Sequence, residues 1–225
     1  MNIEFELCNR FDAEKVLLNS YKNEKRNGFL IYSKKTIKDL GLTNLYKKSY
    51  KNIEEMKEGN AFRYYYLERL NNGCEKHAVI IMMNPAFANS DEPDRTIKNI
   101  KKYCEETKAE NNIGSFEIIN LYPIRMPKSV KLSELLENEA VKKETGVYQE
   151  SIKNYLKDLL IKKEKNCIII AAWGTKDADN DKAKKMFEEL DLTLYCYAIN
   201  EKGYPRHFRS LKNKELKKLQ EFKFD

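Results

Sequence analysis

The sequence predicts an α/β protein with a mostly parallel central sheet and helices on both of its faces, a three-layer αβα sandwich. Two observations lead to this prediction. Short apolar runs recur from residue 61 onward, and amphipathic helical patterns separate them. Strands that alternate with helices imply right-handed crossovers and parallel strand pairing.

Composition is that of a soluble globular protein. The chain has 225 residues, of which 41% are hydrophobic and 34% charged, enough for one sizeable domain with a real core. No apolar stretch is long enough to span a membrane, and the N-terminus lacks a secretory signal pattern. The five cysteines never form CxxC. We therefore expect a cytoplasmic protein with reduced cysteines, no metal site and no cofactor.

The net charge of +7 comes mainly from lysines scattered among glutamates. Such a charge attracts phosphates non-specifically and would suit a nucleic-acid partner. Solvated helix faces give the same charge, however, and no arginine-rich stripe is present. The charge pattern therefore favours a solvated surface over a nucleic-acid interface.

Two parts are distinguished along the chain. Residues 1–58 are predicted to be an accessory segment that covers a sheet edge or contributes a lid. In this segment KVLLNSY is typical of a short helix and FLIYS of a short strand, and no chemical motif occurs. Residues 59–225 are predicted to form the α/β core domain.

Five strands are predicted in this core. Ala61–Leu70 is rich in aromatic residues. His77–Met83 follows within hairpin distance and is apolar on both faces, so we expect it to be central in the sheet. The other three strands are predicted at Ser115–Leu121, Cys167–Ala172 and Leu192–Ile199.

Helices are predicted where apolar residues recur at helical spacing. The first spans Asp94–Lys108, the second carries Tyr148, Ile152 and Tyr155 on one face, and the third is capped by Thr175 or Asp177. A Lys/Leu-rich helix is predicted at the end of the chain.

Polar clusters fall at the predicted carboxyl ends of four strands. In an open α/β sheet such ends lie along one edge and face one crevice, where ligands bind. The four clusters are Asn84 with the acidic loop behind it, Asn120 with Tyr122, Trp173 with Gly174, and Pro205-Arg206-His207. Their coincidence predicts a binding site.

The first cluster offers two interpretations. The amide of Asn84 suits a water, a sugar hydroxyl or a base edge, but it also suits a turn that satisfies local backbone groups. Asp91, Glu92 and Asp94 are best placed to cap the next helix. Alternatively, Asp94 or Thr96 holds a ribose hydroxyl or a water.

The next two clusters indicate recognition of a base. The amide of Asn120 provides the donor and acceptor that a purine or pyrimidine edge requires, and Tyr122 lies beside it in sequence. Trp173 is the only tryptophan. Stacking on a base and packing in the core are equal alternatives for its ring.

His207 lies in sequence between Arg206 and Arg209. Two neighbouring cations disfavour the protonated imidazole and suit a neutral ring that donates to a developing anion. The two arginines would suit phosphates. The alternative is a purely structural C-terminal loop. His77, in contrast, opens a strand and is predicted to have no chemical role.

These clusters, in this order, resemble DUF1643, a bacterial and phage family of unknown function. The family's motifs are Asn-Pro-Ser, Asp-x-Thr, Asn-Leu, Ala-Trp-Gly and Gly-x-Pro-Arg-His. This chain differs from them in having Ala86 in place of serine, and Arg95 where proline is usual. The corresponding segments are Asn84-Pro85-Ala86, Asp94-Arg95-Thr96, Asn120-Leu121, Ala172-Trp173-Gly174 and Gly203-Tyr204-Pro205-Arg206-His207.

A more distant resemblance is to the uracil-DNA glycosylase superfamily, and it implies that superfamily's fold. It also implies that Asn84 positions a water, that Asn120 reads the base and that His207 stabilises the departing base anion. The amide of Asn84 cannot accept a proton, so hydrolysis would require Asp91 or Asp94 as the base.

The sequence thus supports three hypotheses, with nucleotide or nucleobase binding preferred. The favoured one is a protein that sequesters or senses a small nucleotide. The first alternative is a hydrolase of N-glycosidic bonds, and the second is a DNA-binding accessory protein. Walker, GxGxxG, HExxH and GxSxG motifs are all absent from the sequence, which argues against the enzymes that use them.

Overall fold

One mixed sheet organises the protein. The computed structural model describes residues 20–25, 28–47, 59–85, 94–126, 131–161, 166–174, 177–190, 192–211 and 218–224. The strands within these ranges are β1 (Ser20–Lys25), β2 (Gly28–Ser33), β3 (Arg63–Arg69), β4 (Lys76–Met82), β5 (Ile113–Asn120), β6 (Cys167–Ala171), β7 (Leu194–Cys196) and β8 (Gln220–Phe222). Their spatial order is β1-β2-β3-β5-β4-β6-β7-β8.

Helices connect the central strands. They are α1 (Thr43–Lys47), α2 (Arg95–Glu106), α3 (Lys108–Asn111), α4 (Leu132–Leu136), α5 (Glu139–Ile161) and α6 (Asp177–Phe187), and a 3-10 turn at Glu188–Leu190 follows α6. Within the described ranges, no helix has both the length and the apolar content needed to cross a membrane.

The predicted α/β class is confirmed, but the sheet is mixed rather than mostly parallel. Among the described strands, the parallel pairs are β5–β4, β4–β6 and β6–β7. The pairs β1–β2, β2–β3, β3–β5 and β7–β8 are antiparallel. Only two residues separate β1 from β2, and a parallel pair needs a crossover of about a dozen residues or more. The short connection therefore imposes a hairpin.

Apolar side chains pack on both faces of the sheet, because successive residues of a strand point to opposite sides. On one face, Val79 and Ile81 of β4 pack with α5 and α6; we call this the α5 face. On the other, Ile80 and Met82 pack with Ile97 and Ile100 of α2; we call this the α2 face.

Several elements differ from the sequence-based expectations. β4 does not pair with β3, because β5 lies between them. The strand expected at Leu192–Ile199 is shorter, at Leu194–Cys196. Where a final helix was expected, Gln220–Phe222 forms β8, and Phe222 packs in the α5-face core; residues 212–217 lie outside the described ranges.

The N-terminal part contributes to the same sheet. β1 and β2 extend it beyond β3. Most of the helix expected at KVLLNSY lies outside the described residues, and its last two residues begin β1. The domain boundary at residue 58 stays a prediction.

Candidate functional site

The carboxyl ends of β4, β5 and β6 lie side by side. Met82 is the Cα partner of Asn120. Beyond the strands, the Leu121 N–H donates to the carbonyl of Met82 at 2.7 Å, and the Ala172 N–H donates to the carbonyl of Ile81 at 2.8 Å. The sheet thus brings the segments after Met82, Asn120 and Ala171 to one edge.

Asn120 is a buried polar residue at this edge. Its side chain is 1% exposed, and both its Oδ1 and its Nδ2 lack a hydrogen-bond partner within the described part of the protein. Phe116 and Ile118 of the same strand pack on the α2 face. Because every second residue of a strand points to the same side, Asn120 points to that face too. The amide is therefore directed to the α2 face with its donor and acceptor both available.

Tyr148 of α5 holds the backbone of Asn120 from the α5 face. The Asn120 N–H donates to the Tyr148 hydroxyl at 2.9 Å, and that hydroxyl donates to the Tyr64 carbonyl at 3.0 Å. Burial raises the pKa of Tyr148 above its usual range, so the hydroxyl stays protonated and can donate. One side chain thereby bridges β3 and β5.

Residues of the first cluster mostly serve local structure. Asp94 caps α2, because its Oδ1 accepts from the Ile97 N–H at 2.9 Å. The Asn84 Nδ2 donates to the Pro85 carbonyl at 3.1 Å. These contacts correspond to the capping and turn interpretations. Thr96 is buried in the first turn of α2, and Asp91 and Glu92 lie outside the described residues.

The imidazole of His207 is held neutral. Its Nδ1 accepts from the Arg209 N–H at 3.0 Å, which leaves the proton on Nε2. Burial and the positive charge of Arg209 lower the pKa of His207 to about 4, although Asp94 acts in the opposite direction. At neutral pH the ring is therefore uncharged and has an Nε2–H to donate.

The loop that carries His207 is fixed against β6 and α2. A Cβ built on Gly174, whose φ is +109°, would lie 3.9 Å from the His207 Cβ, so His207 lies next to the end of β6. The Asn99 Nδ2 of α2 donates to the Phe208 carbonyl at 3.2 Å. Of the neighbouring arginines, Arg206 is half-buried and Arg209 exposed.

Trp173 and Tyr122 are directed away from Asn120. Trp173 is 2% exposed, and both residues pack in the core of the α5 face. The indole lies 5.5 Å from the ring of Phe222 and 5.9 Å from that of Phe224, centroid to centroid. These contacts correspond to core packing rather than base stacking, because Ala172 packs on the α2 face and the next residue points oppositely.

Arg63 is a candidate that the sequence-based reasoning missed. β2 and β3 pair Ile31 with Tyr65 but Tyr32 with Arg63, so Tyr64 is an extra residue in a β-bulge. Bulges redirect side chains beside active sites. Here the bulge brings Arg63 beside Tyr32 on the α2 face, 7% exposed and with no partner for its Nε among the described residues.

A second buried polar cluster lies toward the other end of the strands. The His77 Nδ1 lies 2.8 Å from the Ser115 Oγ, and its Nε2 lies 3.5 Å from an Oε of Glu117. Glu117 is fully buried and accepts from the hydroxyls of Tyr65 and Tyr155. In the described ranges no group of three or more His, Cys, Asp or Glu side chains could hold a metal ion.

Comparison with known proteins identifies a family. No curated protein and no solved structure matches the chain. The model of the family described as protein of unknown function, DUF1643, matches residues 63–207. The matched region holds Asn120, His207 and Arg63 and spans more than half of the sequence. The chain therefore belongs to the DUF1643 family.

Proposed function

We propose that this protein binds a nucleotide or nucleobase in a crevice at the carboxyl ends of β4, β5 and β6, on the α2 face. The observation that carries the proposal is the buried amide of Asn120, which has no partner within the described part of the protein. A buried polar group without a hydrogen bond costs about 1–3 kcal/mol. A ligand with an adjacent donor and acceptor, such as a base edge, would satisfy both amide atoms.

His207 supports the same proposal from the β6 side of this sheet edge, where it lies next to Gly174. Its neutral ring presents an Nε2–H, a donor suited to a carbonyl oxygen or a ring nitrogen of a base. The carboxylate of Asp94 raises the pKa of His207 and contributes to the raised pKa of Tyr66, after the larger effects of burial and Glu68. Asp94 is therefore within electrostatic range of both Tyr66 on β3 and His207.

Binding is favoured over hydrolysis. The amide of Asn84 cannot accept a proton from water, and the Asp94 carboxylate is engaged as the cap of α2. The alternative is an N-glycosidic-bond hydrolase with a three-layer fold of the uracil-DNA glycosylase type. The neutral His207 is the observation that favours it, because such a ring could stabilise a departing base anion. DNA binding is a further alternative and would show a steep dependence on salt.

The test is a ligand panel of nucleobases, nucleosides and nucleotides, read by thermal shift and calorimetry. We expect at least one compound to bind the wild-type protein and the Asn120→Leu variant to lose that binding. A panel in which no compound shifts the melting temperature would contradict the proposal. Release of free base from nucleotides or from uracil-containing DNA would instead identify the hydrolase.

A further inference from the structure

Two buried arginines lie on the α2 face beside the proposed crevice. Phe62 and Ile124 form an antiparallel bridge, and both pack in the α5-face core. Arg63 and Arg125 follow them directly in sequence, so both arginines point to the opposite face. Each is 7% exposed.

Aromatic rings hold both guanidinium groups. The Arg63 Cζ lies 5.8 Å from the centroid of the Tyr66 ring, and the Arg125 Cζ lies 5.6 Å from that of Tyr32. Tyr32 and Tyr66 belong to the α2-face core. The Arg125 Nη1 donates to the Asn60 carbonyl at 3.3 Å, whereas the Arg63 Nε has no partner among the described residues. The guanidinium fork of Arg63 is therefore the one that can meet a planar or forked acceptor.

The charge of Arg63 is not neutralised by any carboxylate in the part of the chain that the structure describes. No ion pair to Arg63 occurs among the described residues, whereas Glu68, on the same strand, already accepts from the Tyr66 hydroxyl and from Lys101. An arginine does not deprotonate in proteins, and a buried charge without a partner is strongly unfavourable. An anion would relieve this cost, and phosphate oxygens match the guanidinium fork.

Arg63 and Asn120 lie toward the same end of adjacent strands. β3 pairs with β5 through Tyr66 and Ile118. Because these two strands are antiparallel, Arg63, which precedes Tyr66, and Asn120, which follows Ile118, lie on the same side of that pair. Both side chains point to the α2 face. A molecule whose base contacts Asn120 can therefore extend toward Arg63.

We propose that the ligand is a nucleotide rather than a free base or nucleoside, and that Arg63, supported by Arg125, binds its phosphate. This inference rests on the function proposed above and names its ligand class. It differs from the sequence-based expectation, in which Arg206 and Arg209 bind phosphate. Arg209 is exposed, whereas Arg63 is buried beside the crevice.

The test compares adenosine, guanosine, cytidine and uridine with their 5′-monophosphates by calorimetry at constant ionic strength. For wild-type protein we expect a monophosphate to bind at least about tenfold more tightly than its nucleoside, as for charge-assisted hydrogen bonds. Arg63→Gln should abolish that difference. Arg69→Gln, the same substitution at an exposed position of β3, should preserve it.

Each outcome separates the two proposals. Equal binding of nucleosides and monophosphates would overturn the phosphate assignment and leave nucleoside binding intact. Binding of neither would overturn the phosphate assignment, and it would overturn the function proposed above as well if no free nucleobase binds. A preference for monophosphates that survives in Arg63→Gln would overturn the role of Arg63. If that variant does not fold, Arg63→Lys keeps the charge without the fork and should reduce the preference. An unchanged preference in Arg63→Lys would count against the role of Arg63.

Discussion

Replacing Asn120 by leucine should stabilise the free protein while abolishing ligand binding. Both amide atoms are buried, and neither has a partner within the described part of the protein. Leucine has a similar size and no polar atoms. Each buried polar group without a partner costs about 1–3 kcal/mol, which the substitution removes. The different shape of leucine destabilises the protein by up to about 1.5 kcal/mol.

The net expectation for Asn120→Leu is therefore a gain of at least about 0.5 kcal/mol in the free energy of unfolding, because two unpaired groups cost about 2 kcal/mol even at the low end. For a chain of this length, each kcal/mol corresponds to roughly 2–4 °C in melting temperature. Urea and thermal unfolding followed by circular dichroism would measure the gain. Calorimetry with the tightest-binding nucleotide would measure the loss of affinity.

Asn111 provides a matched control. It is also buried, but its Oδ1 accepts from the Leu219 N–H at 3.1 Å, and its side chain is hydrogen-bonded to the Tyr197 hydroxyl. Asn111→Leu should lower the free energy of unfolding by about 2 kcal/mol or more, because it leaves partners unsatisfied. If Asn120→Leu destabilised the protein as much as this control and still bound nucleotide, Asn120 would be a structural residue and our reasoning would be refuted.

Three further predictions concern residues around this amide. Tyr148→Phe removes the bridge between the Tyr64 carbonyl and the Asn120 N–H, so the free energy of unfolding should fall by about 2–4 kcal/mol; no change in urea unfolding would contradict the bridge. In a nitrogen-15 spectrum of the histidines, His207 should stay neutral, with its proton on Nε2, until the pH falls to about 4; a titration midpoint near its ordinary value would contradict its burial. Asp94→Asn keeps a capping side chain and removes the charge, so stability should change by less than about 0.5 kcal/mol, with nucleotide affinity unaltered; a large loss of affinity would show that the carboxylate contacts the ligand.

The sequence predicted the fold best where apolar runs are long. The strands at His77–Met83, Ser115–Leu121 and Cys167–Ala172 lie within about two residues of β4, β5 and β6. The order of the strands in the sheet could not be predicted from the sequence in the same way. β5 lies between β3 and β4, and such long-range pairing leaves no local sequence pattern. The end of the chain was mispredicted for a similar reason. β8 forms where Phe222 fills the core beside Trp173, a tertiary contact that local propensity does not report.

For the candidate site, strand ends were predictable but side-chain directions were not. Asn120 and Trp173 both follow apolar runs, yet they point to opposite faces, because a shift of one residue reverses the face of a strand. Arg63 depends on a bulge at Tyr64. Its aromatic surroundings are visible in the sequence, but the extra residue that redirects it is a property of the pairing with β2.

A crystal structure of the protein with the tightest-binding nucleotide of the panel would test the central claim most directly. We predict that the base edge bonds to both amide atoms of Asn120, that the His207 Nε2–H donates to the ligand, and that the phosphate lies on Arg63. A nucleotide bound elsewhere, with the Asn120 amide hydrogen-bonded to the protein itself, would contradict the account.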